Sequence, residues 1–338
     1  TDGYIRQALD RYMELMFKSG WQMVPSSDNV KEYMRKRMTM LEDAMGQPLG
    51  HFWRELAEDL VKFSNVFIVK KRVAPEKLAN VKGVTINGLG KNKPVGAYFR
   101  LPPQTMQIKT DDYGTIKKYK QVVGQNEKEF KPQDIIHIAY KKPAGRFFGV
   151  PFVLPVLEDV RLLRQVEDNV AKLIYRHLYP LFVYKVGLEK KGFEASNEEI
   201  IEMREEIQNM PVDGGLVVPE RHSIDLLTAD TNLDAESYLH YFEKRVFTGL
   251  GVSETIMGRS ATSNRSTAEN QSSEMRDRVK AIQAVMQGYI NYSIIRELLL
   301  EGGFDPVQSP DTDKAEFRFL EIDTDLKIKQ ENHVIYKY

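Results

Sequence analysis

The chain has 338 residues and no cysteine, and its 48 basic side chains equal its 48 acidic ones in number, so the formal net charge is zero. This balance argues against a protein held to nucleic acid by a broad basic surface, and the missing cysteines rule out disulfide frameworks and thiolate metal sites. No apolar run approaches the ~20 residues that a membrane helix needs.

The first 148 residues predict a helical region followed by a β region. Apolar residues recur at helical spacing three times, and Gly46-Gln-Pro48 separates the second helix from the third. The predicted helices are residues 4–17, 29–45 and 51–63. Alternating apolar and polar residues then predict strands at 65–73, 97–101, 106–108, 116–123 and 130–140. Asp111-Asp-Tyr-Gly114 is predicted to be a hairpin turn, with glycine where φ is positive.

A long amphipathic helix is predicted at residues 153–178, because Val156, Val160 and Leu163 begin an apolar stripe opposite a charged face. The elements predicted after it are a strand at 181–186, a helix at 197–210, a strand at 215–219, helices at 235–248 and 267–300, and a strand at 315–322. The helix at 267–300 would be ~50 Å long. The whole pattern predicts a mainly helical α+β protein that is elongated rather than compact.

Motifs for phosphate chemistry are incomplete. A P-loop needs Gly-x4-Gly-Lys-Ser/Thr, but Gly90-Lys91 is followed by Asn92, and the dinucleotide pattern fails at its third glycine. We therefore predict a turn between strands at this point.

Metal and acid–base motifs are equally weak. The six histidines have no metal-ligand spacing, and His137 lies within a strand pattern, which favours a structural role. Asp311-Thr-Asp313 and Asp323-Thr-Asp325 offer hard oxygens, yet this spacing is common in solvated loops. The sequence predicts no catalytic residue, no metal site and no cofactor, and hence no enzyme.

The polar stretch at 253–270, SETIMGRSATSNRSTAEN, lies directly before the helix predicted at 267–300. Ser266 and Glu269 fit a capping box, and on that interpretation the polar residues only start a helix. Alternatively, Arg259 and Arg265 stand beside a helix N-terminus, where free amides and the helix dipole favour an anion. A single copy favours the capping interpretation, and repetition around a symmetric ring would favour the anion.

The order of elements and several phrases resemble a tailed-bacteriophage (Caudovirales) portal protein, of the head-to-tail connector family. WRELAEDLVKFSNVFI at 53–68 resembles the helix and strand of the portal wing, and YFRLPP at 98–103 resembles its β region, as does 130–140 with its DIIHI ending. FGVPFVLPVLED at 148–159 resembles the Gly-x-x-Pro start of a stem helix. LGVSETIMG at 250–258 resembles the run from the second stem helix into the tunnel loop. The resemblance covers nearly the whole chain.

This resemblance implies an elongated, ring-forming portal fold with an α/β wing, a helical stem, a small α/β clip and a long helix from wing to crown. The implied domains are the wing at 1–148, the first stem helix at 149–178, the clip at 179–233, the second stem helix at 234–250, the tunnel loop at 251–266, the long helix and return strand of the wing at 267–325, and the start of a crown or a truncated C-terminal region at 326–338. We expect a piece of a longer chain, because it begins at Thr1 and ends on apolar VIYKY.

The implied function is a ring, usually a dodecamer, at the capsid vertex of a bacteriophage virion. Its channel would conduct double-stranded DNA, without sequence preference, during genome packaging and ejection, and its surface would be a docking platform. The implied partners are further copies of the chain in a twelve-fold ring, the terminase large subunit, the major capsid and scaffolding proteins, and head–tail connector or adaptor proteins. The ring would be assembled in the host cytoplasm. Neutral charge suits a conduit, and terminase would supply ATP hydrolysis.

Two groups of residues are implied to line the channel or stabilise it. The tunnel-loop group is Arg259, Ser260, Thr262, Ser263, Asn264 and Arg265. The charged face of the first stem helix is Glu158, Arg161, Arg164, Asp168, Lys172 and Arg176. The loop arginines would contact phosphates weakly without reading bases. The stem charges would face the channel or pair between subunits with Glu158, Glu167 and Asp168, and their mixed signs favour pairing.

Two other functions remain open from the sequence. One is a nucleotide- or phosphate-binding enzyme whose phosphate site is the polar loop, which would need a general base and a metal site. The other is a scaffold or adaptor protein of ring assemblies that has no channel.

Overall fold

The computed structural model describes residues 2–78, 86–178, 181–185, 195–208, 223–227, 235–254, 256–258 and 265–321. The chain divides into two units, one formed by Thr1–Leu157 with Val246–Tyr338 and the other by Glu158–Arg245. None of the helices in these described ranges combines the length and hydropathy that a bilayer crossing requires. The mainly helical α+β class predicted from the sequence is confirmed.

The first unit begins with three helices, each of which ends at the residue predicted from the sequence. They are α1 (Gly3–Phe17), α2 (Asp28–Met45) and α3 (Leu49–Phe63). The side chains of Asp2 and Ser27 cap the first two by accepting bonds from amides of the first turn. Gly46 ends α2 with φ of 71°, a left-handed conformation that glycine adopts without strain.

The strands described in the first unit form three small antiparallel sheets. One sheet pairs β1 (Trp21–Pro25) with β10 (Ala315–Phe319). The second has the order β3-β2-β7, and its strands are β2 (Asn65–Arg72), β3 (Val95–Leu101) and β7 (Ile135–Ala139). The third has the order β4-β5-β6, and its strands are β4 (Met106–Thr110), β5 (Ile116–Val123) and β6 (Asn126–Phe130).

The sequence prediction and the sheets differ at two places. β1 was not predicted, because five residues carry little periodicity and its partner β10 lies almost the whole chain away. The single strand predicted at 130–140 is two shorter strands, because Pro132 starts a 3₁₀ turn that interrupts pairing. The hairpin turn is confirmed: Gly114 has φ of 79°, and the Asp111 carboxylate accepts bonds from the amides of Tyr113 and Thr115.

Aromatic packing joins the β1–β10 pair to α3. Trp53 is 1% exposed, and its ring centroid lies 5.5 Å from that of Phe317 and 6.5 Å from that of Trp21. Rings in such contacts contribute stability beyond the area that they bury. Apolar burial therefore holds together segments that are distant in the sequence.

The outer edge of β3 is closed by a buried ion pair. Arg37 of α2 and Glu301 are both fully buried, with Nη2 of the arginine 2.8 Å from Oε2 of the glutamate. Glu301 also accepts a 2.8 Å bond from the Val95 amide, and Arg37 donates to the Val95 carbonyl. The pair thus satisfies the outward-facing backbone groups of Val95, the first residue of β3.

The long helix predicted at 267–300 is three helical segments in sequence. α7 (Arg265–Ile290) is followed by a π-helical turn (Asn291–Ile295) and by α8 (Arg296–Glu301). The side chain of Asn291 accepts from the Phe317 amide at 2.7 Å and donates to the Phe317 carbonyl at 3.0 Å. Those two bonds fix Asn291 against β10, which the periodic pattern of apolar residues could not reveal. The last helix within the described residues is the short α9 (Pro310–Asp313).

The second unit contains two long helices and a small α/β part. After a 3₁₀ turn, α4 (Leu157–Leu178) leads to β8 (Leu181–Lys185), α5 (Asn197–Gln208), β9 (Ser223–Leu227) and α6 (Ala235–Leu250), whose last turn belongs to the first unit. β8 and β9 pair antiparallel. The strand predicted at 215–219 lies outside the described residues, and β9 was not predicted.

Candidate functional site

The exposed face of α4 carries alternating charges that pair along their own helix. Arg161 lies 3.6 Å from Glu158, Lys172 lies 2.5 Å from Asp168, and Arg164 pairs with Glu167. Residues three or four apart are neighbours on a helix surface, and each exposed pair contributes only ~0.3 kcal/mol. The carboxylates for which pairing between subunits was predicted also have partners on their own helix, and pairing between subunits stays a prediction. The side chain of Arg176 lies outside the described residues.

A different ion pair links the two long helices of the second unit. Arg245 on α6 places its guanidinium 2.6 Å from the Asp159 carboxylate on α4. The same guanidinium lies 5.8 Å from the ring centroid of Tyr241. The sequence alone does not reveal this pair, since the two residues are far apart in the chain and no spacing rule relates them. The contact joins the last part of α6 to the first turn of α4.

The segment after α6 is anchored tightly where the structure describes it. Gly251 has φ of 68°, and the Val252 amide donates to the Phe247 carbonyl at 3.0 Å, which closes the end of the helix. The Tyr12 hydroxyl donates to the carbonyl oxygens of Leu250 and Gly251 at 3.1 and 3.3 Å. Met257, further along, is buried. The start of the polar loop is therefore fixed to α1 by these hydrogen bonds.

The polar loop itself is only partly within the described residues. Arg259, Ser260, Thr262, Ser263 and Asn264 lie outside them, and Arg265 is the first residue of α7. Because α7 begins at Arg265, Ser266 lies inside the first turn rather than at the cap position proposed for it. The loop is therefore bounded by Gly258 on one side and the N-terminus of α7 on the other.

Two titratable side chains, His137 and Asp59, have large pKa shifts that are caused mainly by burial. Burial lowers the pKa of His137 to about 4, and its ring stacks on Phe67 with centroids 4.2 Å apart. Burial raises the pKa of Asp59 to about 7, although Arg100 lies 2.8 Å away. His137 lies in an aromatic cluster, and Asp59 belongs to an ion cluster around Arg100. The structural role predicted for His137 is confirmed.

The motifs tested for phosphate and metal binding form local turns and hydrogen bonds where the structure describes them, whereas Asp323-Thr-Asp325 lies outside the described residues. Gly90 has φ of 59° in a turn where Leu89 and Asn92 form a β-bridge, as predicted. The Asp313 carboxylate accepts a 3.0 Å bond from the Asp305 amide. Within the described part of the chain, no group of three or more His, Asp or Glu side chains could hold a metal ion.

Comparisons with known proteins agree with one another. The family described as "Portal protein of Mu bacteriophage" matches residues 1–334, whereas no curated protein matches the sequence. Among solved structures, the virion of a native gene transfer agent particle has a chain with a TM-score of 0.62 and 11% identity, covering 98% of this chain and 84% of its own.

Two further structures have the same fold. The neck of the native gene transfer agent particle, computed with C12 symmetry, matches with a TM-score of 0.62 at 10% identity, over 97% of this chain and 85% of the other. A crystal structure of an HK97-family phage portal protein from Corynebacterium diphtheriae matches with a TM-score of 0.54 at 10% identity, over 96% and 94%. At these identities, the structures support the fold alone.

Proposed function

The chain belongs to the family of Mu bacteriophage portal proteins, and we propose that it forms the ring at the capsid vertex through which double-stranded DNA passes. The observation that carries this proposal is the family match over residues 1–334. Proteins of this family are structural, so the chain is not an enzyme, as the missing nucleotide motifs predicted. The resemblance inferred from the sequence is thereby confirmed.

We propose a twelve-subunit ring in the virion. A neck computed with C12 symmetry has this fold, which supports a twelve-fold arrangement. Equal numbers of acidic and basic side chains suit a channel, because a strongly basic bore would hold the DNA rather than let it move. The finer parts of the proposal are assembly in the host cytoplasm and docking of the terminase large subunit, the major capsid and scaffolding proteins, and head–tail connector or adaptor proteins.

The domain assignment follows the same scheme. The first unit, Thr1–Leu157 with Val246–Tyr338, would form the wing, and the second unit, Glu158–Arg245, would form the stem and clip. The loop at 251–266 would be the tunnel loop. Support comes from the anchoring of Leu250 and Gly251 by Tyr12, which fixes the start of the loop on the wing.

Purified protein is expected to form rings with a central hole. Negative-stain electron microscopy of the full chain, with class averages sorted by rotational symmetry, measures this directly. Rings without a hole would favour a scaffold or adaptor, and monomers or open filaments under all conditions would contradict the proposal.

The loop arginines are proposed to touch DNA phosphates from every subunit. Replacing Arg259 and Arg265 together by alanine removes two cations per subunit next to a helix N-terminus, and we expect packaged particles to retain about tenfold less DNA after packaging stops. The measurement is the DNA content of purified particles, with ring assembly checked by microscopy.

The matched control removes the same charge elsewhere. Arg6→Ala with Arg11→Ala changes two exposed arginines of α1, whose partners Asp10 and Glu14 lie on the same helix. This variant is expected to retain DNA normally. Equal retention in both variants would remove the proposed role of the loop while leaving the portal function intact.

A further inference from the structure

The sheet β3-β2-β7 has two outer edges with different surroundings. The β3 edge is closed by the buried Arg37–Glu301 pair, which bonds to the backbone of Val95. β7 has no strand partner on its outer side within the described residues. Ile135, Ile136 and Ile138 nevertheless make it an apolar strand. An unpaired apolar edge is a ready template for another strand.

A cleft of about 490 Å³, which we call the β7 cleft, runs along this unpaired edge. Ile135, Ile136 and His137 all line it. Successive side chains of a strand point to opposite faces, so three consecutive lining residues place the cleft at the edge of the sheet rather than on a face. Tyr292 and Arg296 form the opposite wall. This is the geometry in which an extended segment adds to a sheet.

The wall of the β7 cleft is the π-helical turn. Such turns are rare and occur frequently at functional sites. Asn291 is fixed to β10, while its neighbour Tyr292 is 69% exposed and lies beside Arg296, whose guanidinium is 5.6 Å from the ring centroid. The turn therefore binds β10 through Asn291, while Tyr292 and Arg296, the first residue of α8, form an aromatic–cation pair that lines the cleft.

Among the charged side chains at the cleft wall, Arg296 is a cation that is not part of the ion pairs formed there. Lys70 lies 2.6 Å from Glu297, and Arg72 binds the second oxygen of the same carboxylate at 2.9 Å. No carboxylate among the described residues pairs with Arg296. A segment that enters the cleft is therefore stabilised if it carries acidic side chains.

We propose that the β7 cleft receives residues 322–328 of a second copy of the chain as an added strand. These residues read Ile-Asp-Thr-Asp-Leu-Lys-Ile, so apolar Ile322, Leu326 and Ile328 alternate with polar residues, and Asp323 and Asp325 supply the acidic side chains. They lie outside the described residues. The proposal rests on the ring function, because it concerns how neighbouring subunits are joined.

The direction of β10 indicates that the β7 cleft receives this segment from a neighbouring subunit rather than from its own chain. The Phe317 amide bonds to Asn291 and the Phe319 amide bonds to Gln287, so the chain advances towards the start of α7. The helical residues that line the cleft are within 292–300, beyond the end of α7 and therefore away from the direction in which β10 runs. A segment donated at one side of a subunit and received at the other is a head-to-tail interface, and such an interface forms a ring when the rotation between subunits closes.

Disulfide trapping tests this proposal well because the chain has no cysteine of its own. In a variant carrying Tyr292→Cys and Thr324→Cys, mild oxidation of assembled rings is expected to give a covalent ladder of subunits on a non-reducing gel. Thr324 is chosen because it leaves both aspartates in place. The matched control combines Thr324→Cys with Tyr113→Cys, at a 95% exposed position in the hairpin turn, and is expected to stay monomeric on the gel.

The charge of Arg296 provides a second readout. Arg296→Glu in the same double-cysteine chain is expected to slow trapping about tenfold, since attraction becomes repulsion. Arg6→Glu, on α1, is expected to leave the rate unchanged.

Each outcome separates this inference from the ring function. Rings that show no ladder, a ladder equally strong in the Tyr113 control, or trapping insensitive to Arg296→Glu would overturn the strand exchange alone. A disulfide that forms only between the two cysteines of one chain would show that the cleft is not filled by a second copy. Absence of rings by microscopy would overturn the ring function instead.

Discussion

Replacing Arg37 by methionine is expected to lower the free energy of unfolding by about 3–5 kcal/mol, because the Glu301 carboxylate would remain fully buried without its cation. The Val95 carbonyl would also lose its donor at the edge of β3. Urea denaturation followed by circular dichroism measures the change. Arg35→Met, at an exposed position of the same helix, is the control and is expected to stay within about 0.5 kcal/mol of the parent.

The same variant is expected to show a steeper pH dependence. Burial raises the pKa of Glu301 above its usual 4.5, and Arg37 beside it opposes that rise. The folded chain therefore holds this proton more tightly than the unfolded chain, and stability falls as pH increases above about 4.5. Without Arg37 the fall should be larger and extend to higher pH. A loss no greater than that of Arg35→Met, or one independent of pH, would contradict the role of the pair.

Replacing Gly149 by alanine is expected to cost about 1–3 kcal/mol, at the upper end of that range. A Cβ atom there would overlap the carbonyl oxygens of Tyr140 and Ser64, and neither backbone atom can move aside as a side chain would. The Gly149 amide donates to the Asn65 side chain at 2.8 Å, and the Gly149 carbonyl accepts from it at 3.0 Å. The midpoint of thermal unfolding measures the cost.

Gly288→Ala is the matched control for this substitution. Gly288 lies inside α7 with no heavy atom within 4 Å of the added Cβ, so alanine is expected to stabilise the chain by ~1 kcal/mol through helix propensity. If both variants changed stability in the same direction and by similar amounts, the close approach at Gly149 would not be the cause. Ring yield by microscopy would show whether displacement of Gly149 also disturbs the segment that leads into α4.

Local patterns determined much of this fold. The helical spacing of apolar residues predicted α1, α2 and α3, each to its last residue, and the strand alternation predicted β5 over Ile116–Val123. The Gly-Val-Pro phrase after Phe148 identified the start of the stem-like helix, and the structure gives the glycine a steric reason. These features are readable because period and turn chemistry depend on neighbours in the sequence.

The candidate site was predictable in part for the same reason. The charged face of α4 follows from the periodic pattern, and its pairs, such as Lys172 with Asp168, follow from spacing of three or four residues. The bond between Arg245 and Asp159 does not, because two separate helices must first pack together.

By itself, the sequence determined the family, the order of the main elements and the absence of a nucleotide motif. Only the tertiary structure decided what lies at the strand edges: Arg37 with Glu301 at β3, Asn291 at β10 and, among the described residues, no strand at the outer edge of β7. Strand pairing and burial of charge depend on which distant segments meet, and that is set by the packing of the whole unit rather than by any local period.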